Sequence, residues 1–154
     1  MAGFKFKLQR ILDIRATQER MKQNELAVER KKEWNILQKI SNLEKAQSDE
    51  YLRGRSILSE PVADIRIFVA HQRYFEELEM ELVRAAVDLD RQRDAVEAAR
   101  QALIEAARKR KLLEKLKDKR YHAFKKEEET AEQKTIDEVG GAVREAARRG
   151  SLDR

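Results

Sequence analysis

The sequence predicts an all-α protein: two long helices in an antiparallel coiled-coil hairpin, the second helix longer and overhanging the first. Three observations predict it. The 154 residues are 41% charged and 6% aromatic, with one proline and five glycines, a mixture that suits long helices better than a thick globular core. Helix breakers cluster at one internal place, "YLRGRSILSEPVADI". An apolar residue also recurs at every seventh position through the middle of the second half.

The break divides the chain. Pro61 cannot sit inside a helix, Gly54 is expected to cap the helix before it, and Asp64, or Ser59 a little earlier, is the expected N-cap of the next. The sequence therefore places helix one at about residues 4–53, a turn at 54–63 and helix two at 64–139, together a 1–139 stalk. Gly140 and Gly141 are expected to end helix two and leave residues 140–154 as a flexible basic tail.

Helix two carries the clearest periodicity. Phe68, Phe75, Leu82, Leu89, Val96 and Leu103 form one series of sevens, and His71, Leu78, Ala85, Gln92, Ala99 and Ala106 follow three places behind. Such an a/d seam needs a partner helix, and its alanines allow close approach. The spacing is expected to slip near Leu112, Leu113 and Leu116, where the seam closes in an apolar cluster.

Helix one is apolar at both ends: Phe4, Phe6, Leu8, Ile11, Leu12 and Ile14 at one, Trp34, Ile36, Leu37, Ile40, Leu43, Tyr51 and Leu52 at the other. Folding back at the break sets the second group against Phe68–Leu82 and the first against Leu103–Leu116. Trp34 is expected to pack into the hairpin. At 1.5 Å per residue the helices would span roughly 75 and 110 Å, so helix two overhangs from near Arg120. "RYHAFKKEEETAEQK" is polar all round on this account because no partner helix reaches it.

Chemistry-bearing patterns are absent. No phosphate-cradling G-x-x-x-x-G-K-[ST] loop, no H-E-x-x-H and no serine or cysteine beside a histidine occurs. There is no cysteine, and His71 and His122 stand apart, so neither a thiolate nor a histidine metal site is expected, and no cofactor. His71 reads as a partly exposed spacer near the turn. No apolar run approaches a membrane span or a signal peptide, which implies a cytoplasmic protein without membrane insertion. The expectation is a binding protein, not an enzyme.

Charge is uneven. Residues 108–120 hold Arg108, Lys109, Arg110, Lys111, Lys115, Lys117, Lys119 and Arg120 against Glu114 and Asp118. The hairpin sets Lys5, Lys7, Arg10 and Arg15 beside them. Like charges held together oppose folding, so this basic end points to an anionic partner. Nucleic acid is one choice, but aromatic platforms and recognition-motif spacing are missing, which favours an acidic protein surface.

The two ends of the chain, "FKFKLQRILDIRATQERMKQNELA" and "KRKLLEKLKDKRYHAFKKEEETAEQKTIDEVG", resemble the flagellar export protein FliJ family over about residues 4–139. The alternating Phe-Lys-Phe-Lys-Leu opening and the Leu-Glu-Lys-Leu-Lys, Glu-Gln-Lys and Asp-Glu elements carry the likeness. Residues 16–63 are ordinary coiled-coil sequence. The resemblance implies a non-enzymatic stalk, like the shaft of a rotary ATPase, in the flagellar type III protein export apparatus. It would occupy the centre of the hexameric export ATPase, reach the cytoplasmic part of the membrane export gate, and reside at the inner-membrane flagellar base, with export chaperones as further partners.

On this reading Lys5, Lys7, Arg10, Arg108, Lys109, Arg110, Lys111, Lys115 and Lys117 contact the ATPase ring. Val69, His71, Tyr74 and Leu78 near the turn contact the gate, with Tyr74 as the outward aromatic anchor. Two alternatives stay open: the stalk of a virulence-type type III secretion system, and a basic coiled coil that binds nucleic acid.

Overall fold

In the computed structural model, which describes residues 3–62 and 64–152, the chain forms two long helices packed against each other as an all-α hairpin. Helix α1 is Gln9–Leu58 and helix α2 is Ile65–Leu152. Residues 1 and 2 of the expected stalk, residue 63 of the turn and residues 153 and 154 of the tail lie outside the described residues. The chain divides into two compact units: Thr17–Ala106, and the residues up to Ala16 with those from Ala107 onward.

In the Thr17–Ala106 unit the seam of α2 is as the periodicity predicts. Each of the twelve seam residues from Phe68 to Ala106 is buried or half-buried, and Ala85 is 1% exposed. The answering stripe on α1 is also heptad-spaced, with Leu26, Glu33, Ile40, Gln47 and Gly54 in one series and Lys22, Glu29, Ile36, Leu43, Glu50 and Ile57 in the other. Half of this stripe is polar, which hides its period from a reading of apolar residues alone. Trp34, Leu37, Tyr51 and Leu52 lie off the stripe and are exposed, contrary to their expected place in the pairing. The Lys31 ammonium sits 5.1 Å from the Trp34 ring centre instead.

Side-chain bonds bridge the helices where the stripe is polar. Gln92 donates to the Glu29 carboxylate (2.6 Å) and to its main-chain oxygen (3.0 Å), and Glu33 meets Arg93 at 3.6 Å. Hydrogen bonds from Lys32 and then Gln92 hold the Glu29 carboxyl below the ordinary carboxylate range. Partly exposed pairs of this kind contribute little stability each.

At the turn, α1 runs through Gly54 and ends at Leu58, five residues later than expected. No described glycine has a positive φ, so Gly54 is not a left-handed cap. Its missing side chain makes room instead: a Cβ there would stand 2.3 Å from Nε2 of His71. His71 is half-buried but is more than a spacer, because its Nδ1 lies 2.7 Å from the buried Glu50 carboxylate. The end of α1 is tightened by Ser59 N–H and Oγ–H, which both donate to the Ser56 carbonyl. Asp64 caps α2 as expected, its Oδ1 accepting from the N–H of Arg66 at 2.9 Å.

In the other unit α1 begins at Gln9 rather than residue 4. The opening Phe-Lys-Phe-Lys precedes the helix and closes in a turn at Lys7 and Leu8: Phe6 is buried, Phe4 half-buried, and Lys5 and Lys7, which alternate with them, are exposed, which is period two, not 3.6. Phe4 meets Tyr121 edge-on (5.4 Å) and Phe124 (5.7 Å), and Phe6 lies under the Arg120 guanidinium. Helix α2 is therefore partnered as far as Phe124, beyond the expected limit near Arg120. The expected slip of the seam does not occur. Arg110, Leu113, Lys117 and Phe124 keep the sevenfold frame and are half-buried, whereas Leu112 is 67% exposed.

Helix α2 then continues through Gly140 and Gly141 to Leu152. Two glycines cost about 1 kcal/mol each relative to alanine, but "AVREAARR" after them is rich in strong helix formers, and the helix persists. From Glu129 to Arg149 every described side chain is exposed.

Candidate partner-binding surfaces

Each unit carries one surface that its own packing does not use. In the Thr17–Ala106 unit it is an apolar patch around the turn. Tyr51, Leu52, Leu58, Val62, Ile65, Ile67, Val69 and Tyr74 are all exposed, Val62 at 87%. Such a concentration is uncommon on a surface with no partner to cover it. Of the four predicted gate residues, Val69 and Tyr74 belong to this patch. Leu78, at 5% exposed, and His71, held by Glu50, are turned into the hairpin instead.

Sequence reasoning missed Leu58, Val62, Ile65 and Ile67. The signal was available, because none of them falls on the sevenfold frame of Phe68 and His71.

In the other unit the unused surface is basic. Lys5, Lys7, Arg10, Arg108, Lys109, Lys111 and Lys115 are exposed. Two of the nine predicted ring residues serve the hairpin instead. Arg110 lies 2.5 Å from Glu114 and is largely covered, and Lys117 donates to the Gln9 side chain at 2.8 Å. Lys5 and Lys7 of the opening, Arg10 of α1 and the cations of α2 thus share one unit, in which Arg110 and Lys117 are half-buried and the other seven are exposed.

Among the described residues no group of histidine and carboxylate side chains is placed to hold a metal ion, and no helix is long and apolar enough to cross a membrane. A family profile described as Flagellar FliJ protein matches residues 4–151. The chain belongs to the FliJ family. That makes it a coiled-coil protein associated with flagellar export, and the match reaches past residue 139 into the last turns of α2. No curated protein and no solved structure matches the chain.

Proposed function

We propose that this FliJ-family chain is a non-enzymatic, cytoplasmic stalk of the flagellar type III export apparatus. Its basic surface binds the centre of the hexameric export ATPase and promotes assembly and activity of the ring, and its turn-proximal patch docks on the cytoplasmic part of the export gate. The observation that carries the reading is the outward display of Lys5, Lys7, Arg10, Arg108, Lys109, Lys111 and Lys115 in one unit. Carboxylates lining a ring would neutralise this field, and because each exposed ion pair contributes only about 0.2–1 kcal/mol, the contact depends on their number and can slide between equivalent subunits. Tyr74 and Val69 supply what a gate contact needs, an amphipathic aromatic beside apolar area. Export chaperones are further partners for the same exposed surfaces.

Reversal of Arg108, Lys109, Lys111 and Lys115 to glutamate tests the basic surface, with Arg110 left in place because it pairs with Glu114. ATPase binding and stimulation should be lost with helix content preserved. A fourfold variant that still stimulates the ring at physiological salt would reduce the basic surface to a solvated face.

A further inference from the structure

The basic surface contains a leucine that charge alone does not explain. Leu112 is 67% exposed and shares an open groove with Arg108, Lys111 and Lys115. Their spacing of three, four and seven sets all four on one stripe of α2. In the frame that buries Arg110 and Leu113 this stripe occupies the outermost positions, so Leu112 contributes nothing to the pairing with α1. No carboxylate lines the groove.

We infer that this stripe docks an acidic amphipathic helix of a protein partner, with carboxylates on Arg108, Lys111 and Lys115 and one apolar side chain over Leu112. Charge complementarity requires an anionic occupant. The leucine decides which kind. A nucleic acid offers phosphates and π faces, and bases stack on aromatic or guanidinium planes, for which an aliphatic side chain is no substitute. An anionic bilayer takes a broad apolar face, whereas Leu112 has cations at three of its four helical neighbours, and the fourth, Leu116, is half-buried in the hairpin. Only a partner that presents acidic and apolar side chains at helical spacing satisfies both requirements. The inference rests on the proposed reading of the basic surface and refines it: the ring would supply an acidic helical segment, not a bare row of carboxylates.

Binding of the full chain to three probes tests it: the purified export ATPase, a synthetic amphipathic Glu/Leu helical peptide, and polyglutamate of equal charge. Leu112→Gln should weaken the ATPase and the Glu/Leu peptide about tenfold, as loss of one buried leucine contact requires, and leave polyglutamate unchanged. The loss should be the same at low salt and at about 0.3 M, while that of Lys111→Gln shrinks as salt screens it. Leu112→Met should bind as the native chain does. An exposed position predicts an unchanged thermal midpoint, which separates lost binding from lost folding. If the native chain ignores the ATPase but prefers the Glu/Leu peptide through Leu112, the proposed function falls and the docking site stands. If it binds the ATPase, and Leu112→Gln binds both ATPase and peptide equally well, the docking site is overturned and the proposed function stands.

Discussion

Nε2 of His71 occupies the space that a side chain on Gly54 would fill, 2.3 Å from the position of its Cβ. The imidazole is not free to swing away, because Nδ1 is bound to Glu50 at 2.7 Å and the ring lies beside Phe75. A glycine inside a helix, a histidine in a seam and a buried carboxylate are each unfavourable alone. Together they fit.

The relationship predicts a change of sign. In the native chain Gly54→Ala should lower stability, because displacing His71 breaks a buried pair at a cost of about 1–3 kcal/mol, more than the ~1 kcal/mol that alanine gains in helix propensity. In a His71→Ala background the obstacle is gone and Gly54→Ala should raise stability by about that 1 kcal/mol. Urea unfolding of the four proteins of the cycle measures both. A destabilising Gly54→Ala in both backgrounds would mean that His71 is not what requires the glycine.

Why Gly54 reads as a cap in the sequence follows from the same contact. Composition shows where a helix can stop, but the reason for a glycine in mid-helix sits on another element, seventeen residues away at His71. The α2 seam was legible because its apolar residues declare their period. The α1 stripe was not, because Lys22, Glu29, Glu33, Gln47 and Glu50 occupy it and apolar residues such as Trp34 and Leu37 stand outside. Similarly, the basic residues were legible as a cluster, but their division into hairpin cations (Arg110, Lys117) and outward cations needed the frame.

Glu29 gives a pH dependence. Its carboxyl is held below the ordinary range by Lys32 and Gln92. A carboxyl depressed by folding stabilises the fold fully above its unfolded pKa, and that contribution disappears as pH falls through the folded value. Acidification below the ordinary carboxylate range should therefore weaken the native chain more than Glu29→Gln, narrowing the gap between their urea midpoints. A gap that stays constant from neutral pH to pH ~3 would show that Glu29 has no such role.

The opening segment should behave as a strap on α2. Phe6→Ala removes a buried ring and should cost about 3 kcal/mol locally, the low end for a core phenylalanine. Hydrogen exchange should then quicken at residues 117–124, where Phe4 and Phe6 meet Arg120, Tyr121 and Phe124, with residues 68–89 unchanged. Lys5→Ala, at an exposed position, should leave that segment as it was.

For Tyr74, exposure at 46% separates a binding role from a packing one. Tyr74→Ala should leave the helical signal and thermal midpoint unchanged while lowering motility, since truncating an interface anchor costs about 2 kcal/mol or more of binding. Leu78→Ala should do the opposite, lowering the midpoint by removing about 2–5 kcal/mol of core burial. Normal swimming with Tyr74→Ala would remove the tyrosine from the gate surface.

The glycine pair at 140 and 141 is the counterpart of Gly54, with no close approach to justify it. A Cβ on Gly141 would meet nothing within 4 Å, and one on Gly140 would meet only the end of Arg144 at 3.8 Å. Alanine at both positions should therefore be accommodated and should stabilise this part of α2 by about 2 kcal/mol, the summed difference in helix propensity. A single unpartnered helix owes its order to propensity and local pairs, so the gain should appear as slower hydrogen exchange at residues 136–149 and a stronger helical signal on warming. It should be absent from the unfolding midpoint of the Thr17–Ala106 unit, where no contact changes. Unaltered exchange in the double variant would mean that the glycines do not limit the helix, and that its stability beyond Phe124 is set by the charge pairs along it, Lys125 with Glu128 and Arg149 with Glu145.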